Sequence, residues 1–214
     1  MKRACILIII AGLLVFSAAS IIFSFGCYPM RFNAIIQPIQ ICDDSGDNCS
    51  AIEFNEEDLQ SIWQQADLKL DILPIKRFNS SIYQTIDSIE EGNALLGYRP
   101  GLIAPSPVWG IEELAHPTIL NVCFAKSSFS PPGTVALAFE DGNGTWVISG
   151  LEAEIQTVAL AHALGHNFGL KHLEDRGNLM NEIYSKTNTS LYGWQVAIVH
   201  VSRFVKPTSK PLPK

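Results

Sequence analysis

His162-Ala163-Leu164-Gly165-His166-Asn167-Phe168-Gly169-Leu170-Lys171-His172 gathers three of the chain's five histidines into eleven residues. On a helix, residues four apart share a face, so His162 and His166 can aim two imidazoles at one point. Gly169 can adopt the left-handed backbone conformation closed to most residues. It would end the helix there and bring His172 back as a third ligand. Three histidines leave a tetrahedral zinc ion one open position, the arrangement of a catalytic rather than a structural site.

Outward from this stretch the pattern is mixed. Glu152 and Glu154 favour a helix start, and Ile155, Val158, Ala159 and His162 fall on one face. The spacing predicts a helix over 152–168. Upstream, Ile119–Ala125 and Thr134–Phe139 read as strands, separated by the turn Pro131-Pro132-Gly133. Asp141-Gly142-Asn143-Gly144 is a hairpin turn leading into a strand over Thr145–Ser149. Asn55 caps a helix over 56–67, with Glu56, Glu57 and Asp58 in its first turn and Leu59, Ile62, Trp63 and Ala66 at helical spacing. Residues 68–75 alternate as a strand. Residues 78–117 are rich in Gly and Pro and read as long loops. A last helix is expected over Leu191–Val205.

The three histidines resemble the metzincin pattern H-E-x-x-H-x-x-G-x-x-H followed by a Met-turn. The Met-turn is matched by Gly177-Asn178-Leu179-Met180, with Met180 eight residues after His172. That short spacing is most similar to the matrixin branch, and the resemblance covers roughly residues 55–205. It implies an α+β fold: a twisted mixed sheet with an antiparallel edge strand, a zinc-binding active-site helix, a Met-turn and a C-terminal helix. It also implies a zinc endopeptidase acting on polypeptides. The ligands would be His162, His166 and His172, with Gly169 turning the chain and Met180 as an apolar floor that is not a ligand. A substrate would lie extended along an edge strand made by Val135, Ala136, Leu137, Ala138 and Phe139.

The departure is Ala163. In this family a glutamate there takes the proton of the attacking water and passes it to the leaving amine. Alanine can do neither, and loss of a general base typically costs about 10²–10⁴-fold. Zinc binding should survive, because the glutamate is not a ligand. Little or no hydrolysis is therefore expected, from an engineered or a natural loss. The alternative is a zinc-retaining pseudo-protease that binds peptides or a partner without cutting. Glu112 and Glu113 are the substitutes that loops could bring in, and no spacing aims them at the site.

Other candidates are weaker. His116 and His200 read as ordinary residues, so the second, structural zinc often seen in matrixins is not expected. Asp141-Gly142-Asn143 offers oxygens to calcium, but a plain hairpin turn accounts for it. Tyr184 follows Met180 by four residues, a spacing that does not match the tyrosine assisting some metzincins. No cysteine sits in a matrixin-type latency motif. Sequons occur at Asn48, Asn79, Asn143 and Asn188.

The chain has 214 residues, 47% of them hydrophobic, with a net charge of −6 and no basic cluster. Nucleic acid is not an expected partner. Lys2 and Arg3 precede an uncharged apolar run from Ala4 to Gly26. Residues 1–27 are thus a signal peptide, a membrane anchor or, least well matched, a lipoprotein signal ending at Cys27. All three put the remainder outside the cytoplasm: secreted, periplasmic or membrane-anchored. Residues 28–54 read as a connector in which Cys42 and Cys49 bracket an acidic loop and could pair in an oxidising compartment. The metallopeptidase-like domain is placed at 55–206, followed by a disordered tail over 207–214. Cys123 reads as a buried small hydrophobe.

Overall fold

A computed structural model describes residues 32–85, 118–126, 134–138, 142 and 144–208. The N-terminal apolar segment, the turn at 131–133, Phe139, Asp141, Asn143, Glu112, Glu113, His116 and residues 209–214 lie outside the described residues. Among the described residues, no helix is long and apolar enough to cross a membrane.

The fold is α+β, as expected. The strands are β1 (Phe32–Cys42), β2 (Leu68–Ile72), β3 (Lys76–Asn79), β4 (Ile119–Ala125), β5 (Ala136–Ala138), β6 (Gly144–Ile148) and β7 (Lys206–Pro207). The helices are α1 (Glu56–Gln64), α2 (Ala153–Asn167) and α3 (Gly193–Val201), with a 3-10 turn at Ser81–Gln84. The sheet runs β2-β1-β4-β6-β5. Its inner pairs are parallel, and β5 pairs with β6 antiparallel in the register Leu137 to Trp146.

The connector expected over 28–54 is corrected here. β1 is an interior strand flanked by β4 on one side and by β2 and β3 on the other. Its side chains are buried on both faces: Ala34 and Ile36 in one core cluster, Ile39 and Ile41 in the other. A strand covered on both sides has no polar-apolar alternation for a reader to detect. Pro74, which has no N–H to give a ladder, lies between β2 and β3 along that edge. Gln37 Nε2 donates to the Pro74 carbonyl at 2.7 Å across the gap.

Smaller differences follow the same logic. β3 and the 3-10 turn give structure to residues 76–84, where loops were expected from 78 onward. Lys206 and Pro207 pair with Asn33 and Phe32, so the start of the supposed tail belongs to the sheet. The Cys42–Cys49 disulfide is formed.

β4 feeds both cores. Leu120, Val122 and Phe124 face the helices, while Cys123 and Ala125 face the opposite cluster with Trp146. α2 is buried almost all round, which suits a central helix. Trp63 of α1 meets Phe168 edge-to-face at 4.9 Å, fixing the residue where α2 ends.

Candidate metal centre

α2 carries His162 and His166 one turn apart, and its C-terminus positions the rest. Phe168 is the last residue near helical geometry, and Gly169 has φ +94°. The N–H of Leu170 bonds back to the Gly165 carbonyl, and the N–H of Gly169 to that of His166, both at 2.9 Å. This pair of bonds is the Schellman ending that a glycine in this conformation permits. It reverses the chain and brings His172 beside the other two rings.

The three Nε2 atoms form a small triangle. His162 and His166 are 3.1 Å apart, His162 and His172 3.2 Å, and His166 and His172 3.0 Å. Each Nδ1 has its own acceptor: the Leu179 carbonyl at 2.7 Å for His162, the Leu170 carbonyl at 2.8 Å for His166, and Glu182 Oε1 at 2.9 Å for His172. Carbonyl and carboxylate oxygens only accept, so the protons sit on Nδ1. In neutral rings the three Nε2 atoms are then bare lone pairs, which cannot hydrogen-bond to one another. A cation between them would resolve the conflict. Three nitrogens on one tetrahedral zinc ion at about 2.0–2.1 Å stand roughly 3.3 Å apart, close to what is observed. Burial, then the neighbouring His166, pushes the His162 pKa down to about 3; the hydrogen bond to the Leu179 carbonyl pulls the other way, and His172 adds a smaller downward push. The ring is held neutral, as a ligand must be.

The segment Gly177-Asn178-Leu179-Met180 packs against α2: the Leu179 carbonyl meets His162 Nδ1, and Met180 Sδ lies against Gly165. Met180 is fully buried, and its carbonyl accepts from the Leu173 N–H at 2.9 Å. The Tyr184 ring stands 4.9 Å from that of His162, and burial pushes its hydroxyl up to about 12. The local spacing gave no reason to expect this closeness. Ala163 lies on α2 beside His162 with 1% of its surface exposed. Among the described residues, the histidines are the one group of His, Cys, Asp or Glu able to hold a metal. A cavity of about 620 Å³ opens beside them, bordered by His172, Arg176, Glu182, Ile183 and Asn188.

Residues 121–196 match the Matrixin family of peptidases (Peptidase M10). The matrixin-like segment runs from β4 into α3 and contains all three histidines and Met180. No curated protein sequence matches the chain. Among solved structures, the chain is similar to metalloproteinase-II from Bacteroides fragilis, at 14% identity and TM-score 0.46, covering 78% of this chain. It spans 52% of that protein's length. It is also similar to a zinc-dependent peptidase from Methanocorpusculum labreanum (12% identity, TM-score 0.45, covering 77% of this chain and 99% of that one). A third is archaemetzincin from Methanopyrus kandleri (14%, 0.47, 78% and 94%).

Of the expected edge strand, Ala136–Ala138 form β5, and Val135 extends the pairing through its carbonyl to the Ile148 N–H at 3.0 Å. His200 is structural: Nε2 bonds to the Ala66 carbonyl at 2.7 Å and the ring stacks on Phe32. Sequence reasoning missed Glu182, an exposed acid two residues past Met180 with no local signature. It also missed the buried amides. Asn178 and Gln195 exchange hydrogen bonds of 2.9 and 3.1 Å, tying the Met-turn to α3. Gln156 bridges the Glu53 N–H and the Ile148 carbonyl. Asn167 Nδ2 donates to the Gly144 carbonyl at 2.9 Å, where α2 meets the start of β6.

Proposed function

We propose that the chain is a zinc-dependent metallopeptidase domain of matrixin type that has lost its hydrolytic base and acts outside the cytoplasm. The observation that carries the reading is the convergence of three Nε2 atoms whose Nδ1 protons are all engaged elsewhere. Bound there, zinc would polarise a peptide carbonyl and acidify water. His162, His166 and His172 would hold the ion, and Met180 would floor the site. Among the described residues β5 stands at the end of the strand order and would take an extended polypeptide by strand addition. At 163 a methyl group can accept no proton, so the step the family assigns to glutamate has no agent at that position. The apolar N-terminal run and the Cys42–Cys49 bridge support a place outside the cytoplasm.

A second reading, a zinc-retaining module that binds peptides without cutting, is favoured by one observation. Ala163 is sealed into the apolar core while everything around it that binds metal is intact.

One experiment separates these. Zinc content and cleavage of a broad peptide library are measured for the chain as it stands and for Ala163→Glu, with melting curves to check that both fold. We expect one zinc per chain in both, and cleavage at least about 10²-fold faster with glutamate. Equal cleavage by the two would remove Ala163 from the catalytic position. Absence of zinc would remove the metallopeptidase reading altogether. A folded, zinc-loaded glutamate variant that still cuts nothing would favour the binding module.

A further inference from the structure

We infer that Glu182 is a positioning residue of the metal centre, which holds His172 with its Nε2 toward the metal. The inference rests on the reading of the three histidines as ligands. His162 and His166 are set by the helix, and backbone carbonyls fix their rings. His172 differs on both counts. It lies on irregular chain beyond Gly169, and its Nδ1 partner is a side chain, Glu182 Oε1 at 2.9 Å.

The two segments are clasped to make that contact. The Leu173 N–H bonds to the Met180 carbonyl at 2.9 Å, and Asn181 Nδ2 reaches the Leu173 carbonyl at 3.3 Å. Residues 180–182 therefore run beside 172–173, and Glu182 arrives against the outer edge of the imidazole. Its carboxylate accepts from Nδ1–H, which leaves the Nε2 lone pair for the metal. Without it, a side chain 45% exposed to water is free to exchange tautomers or turn its ring over. The same geometry limits Glu182. It stands at the Nδ1 edge, across the ring from the point where the Nε2 atoms converge. While it holds His172 it can be neither a ligand nor a replacement for the missing glutamate at 163.

Losing such a partner commonly weakens metal binding 10–100-fold. Here the carboxylate side chain is 73% exposed, so solvent screening places the effect at the lower end. The test is zinc affinity of the full-length chain by competition with a chromophoric chelator, for Glu182→Ala and Glu182→Gln, with cobalt spectra of each and melting of the metal-free forms. We expect Glu182→Ala to bind zinc about tenfold more weakly and to shift the cobalt bands. Glu182→Gln, which keeps an acceptor oxygen without the charge, should recover most of the affinity, and the metal-free melting temperatures should be unchanged. Equal zinc affinity in wild type and Glu182→Ala would overturn the role of Glu182 and leave the metal reading standing. A loss of affinity matched by lower metal-free stability would reduce Glu182 to a structural contact and also overturn it. If the wild type takes up no zinc, both readings fall together.

Discussion

Met180 packs against Gly165 so closely that a Cβ built on the glycine would lie 2.5 Å from Sδ and 3.3 Å from Cε. Gly165 sits between His162 and His166 on α2, and Met180 is fully buried. The absence of a side chain at 165 is thus what lets Met180 pack against α2.

Gly165→Ala is expected to destabilise the protein by up to about 2 kcal/mol. Overpacking costs about 1–3 kcal/mol, and the gain in helix propensity offsets up to about 1. If the three histidines hold zinc as proposed, its affinity should fall as well, because Met180 is displaced from the helix that carries two of them. Chemical denaturation checks this, and the Gly165→Ala/Met180→Ala double variant should recover part of the coupling. A fully additive pair would mean that the two residues do not press on each other.

Gln195→Leu should cost about 1–3 kcal/mol, because it leaves buried Asn178 without its partner. Asn178 Oδ1 also accepts from the Met180 N–H at 2.9 Å, so the variant should loosen the turn that presents the Leu179 carbonyl to His162. Denaturant midpoints measure the first effect, and chelator-driven zinc release the second. Wild-type behaviour in both would show that this amide pair is dispensable.

Removing the Cys42–Cys49 bridge by paired alanine substitution should cost about 2–3 kcal/mol, the chain-entropy value for a closed loop of roughly eight residues. Urea denaturation of oxidised wild type against the double variant reads this directly. Peptide mapping of the oxidised protein should recover residues 42 and 49 in one linked species.

Burial pushes the Cys123 thiol well above its ordinary range. In the folded chain it should resist iodoacetamide at pH 8–9 and react only after denaturation. The sign for stability follows. The unfolded thiol ionises near pH 8.5 while the folded one keeps its proton, so stability present below that pH declines as pH rises. Cys123→Ala should flatten this alkaline slope, measured by denaturation from pH 7 to 10. An unchanged slope would place its origin elsewhere.

Much of the site could be read from the sequence, because its logic is local. The four-residue step from His162 to His166 is the helical repeat, and Gly169 is a backbone position whose φ of +94° disfavours other residues. The short loop from Cys42 to Cys49 likewise brackets its own bridge. Tertiary structure decided the rest. β1 reads as a connector because a strand of a parallel sheet, with both faces buried in core, shows no period of two. Glu182 was silent because its meaning depends on the chain reversing so that residue 182 lies against residue 172. The amides of Gln156, Asn178 and Gln195 look like ordinary polar residues until folding buries them against distant backbone and against each other. Periodicity travels along the chain and can be seen without folding it. A contact between segments exists only once the chain has turned back on itself, and it is there that His172 meets Glu182.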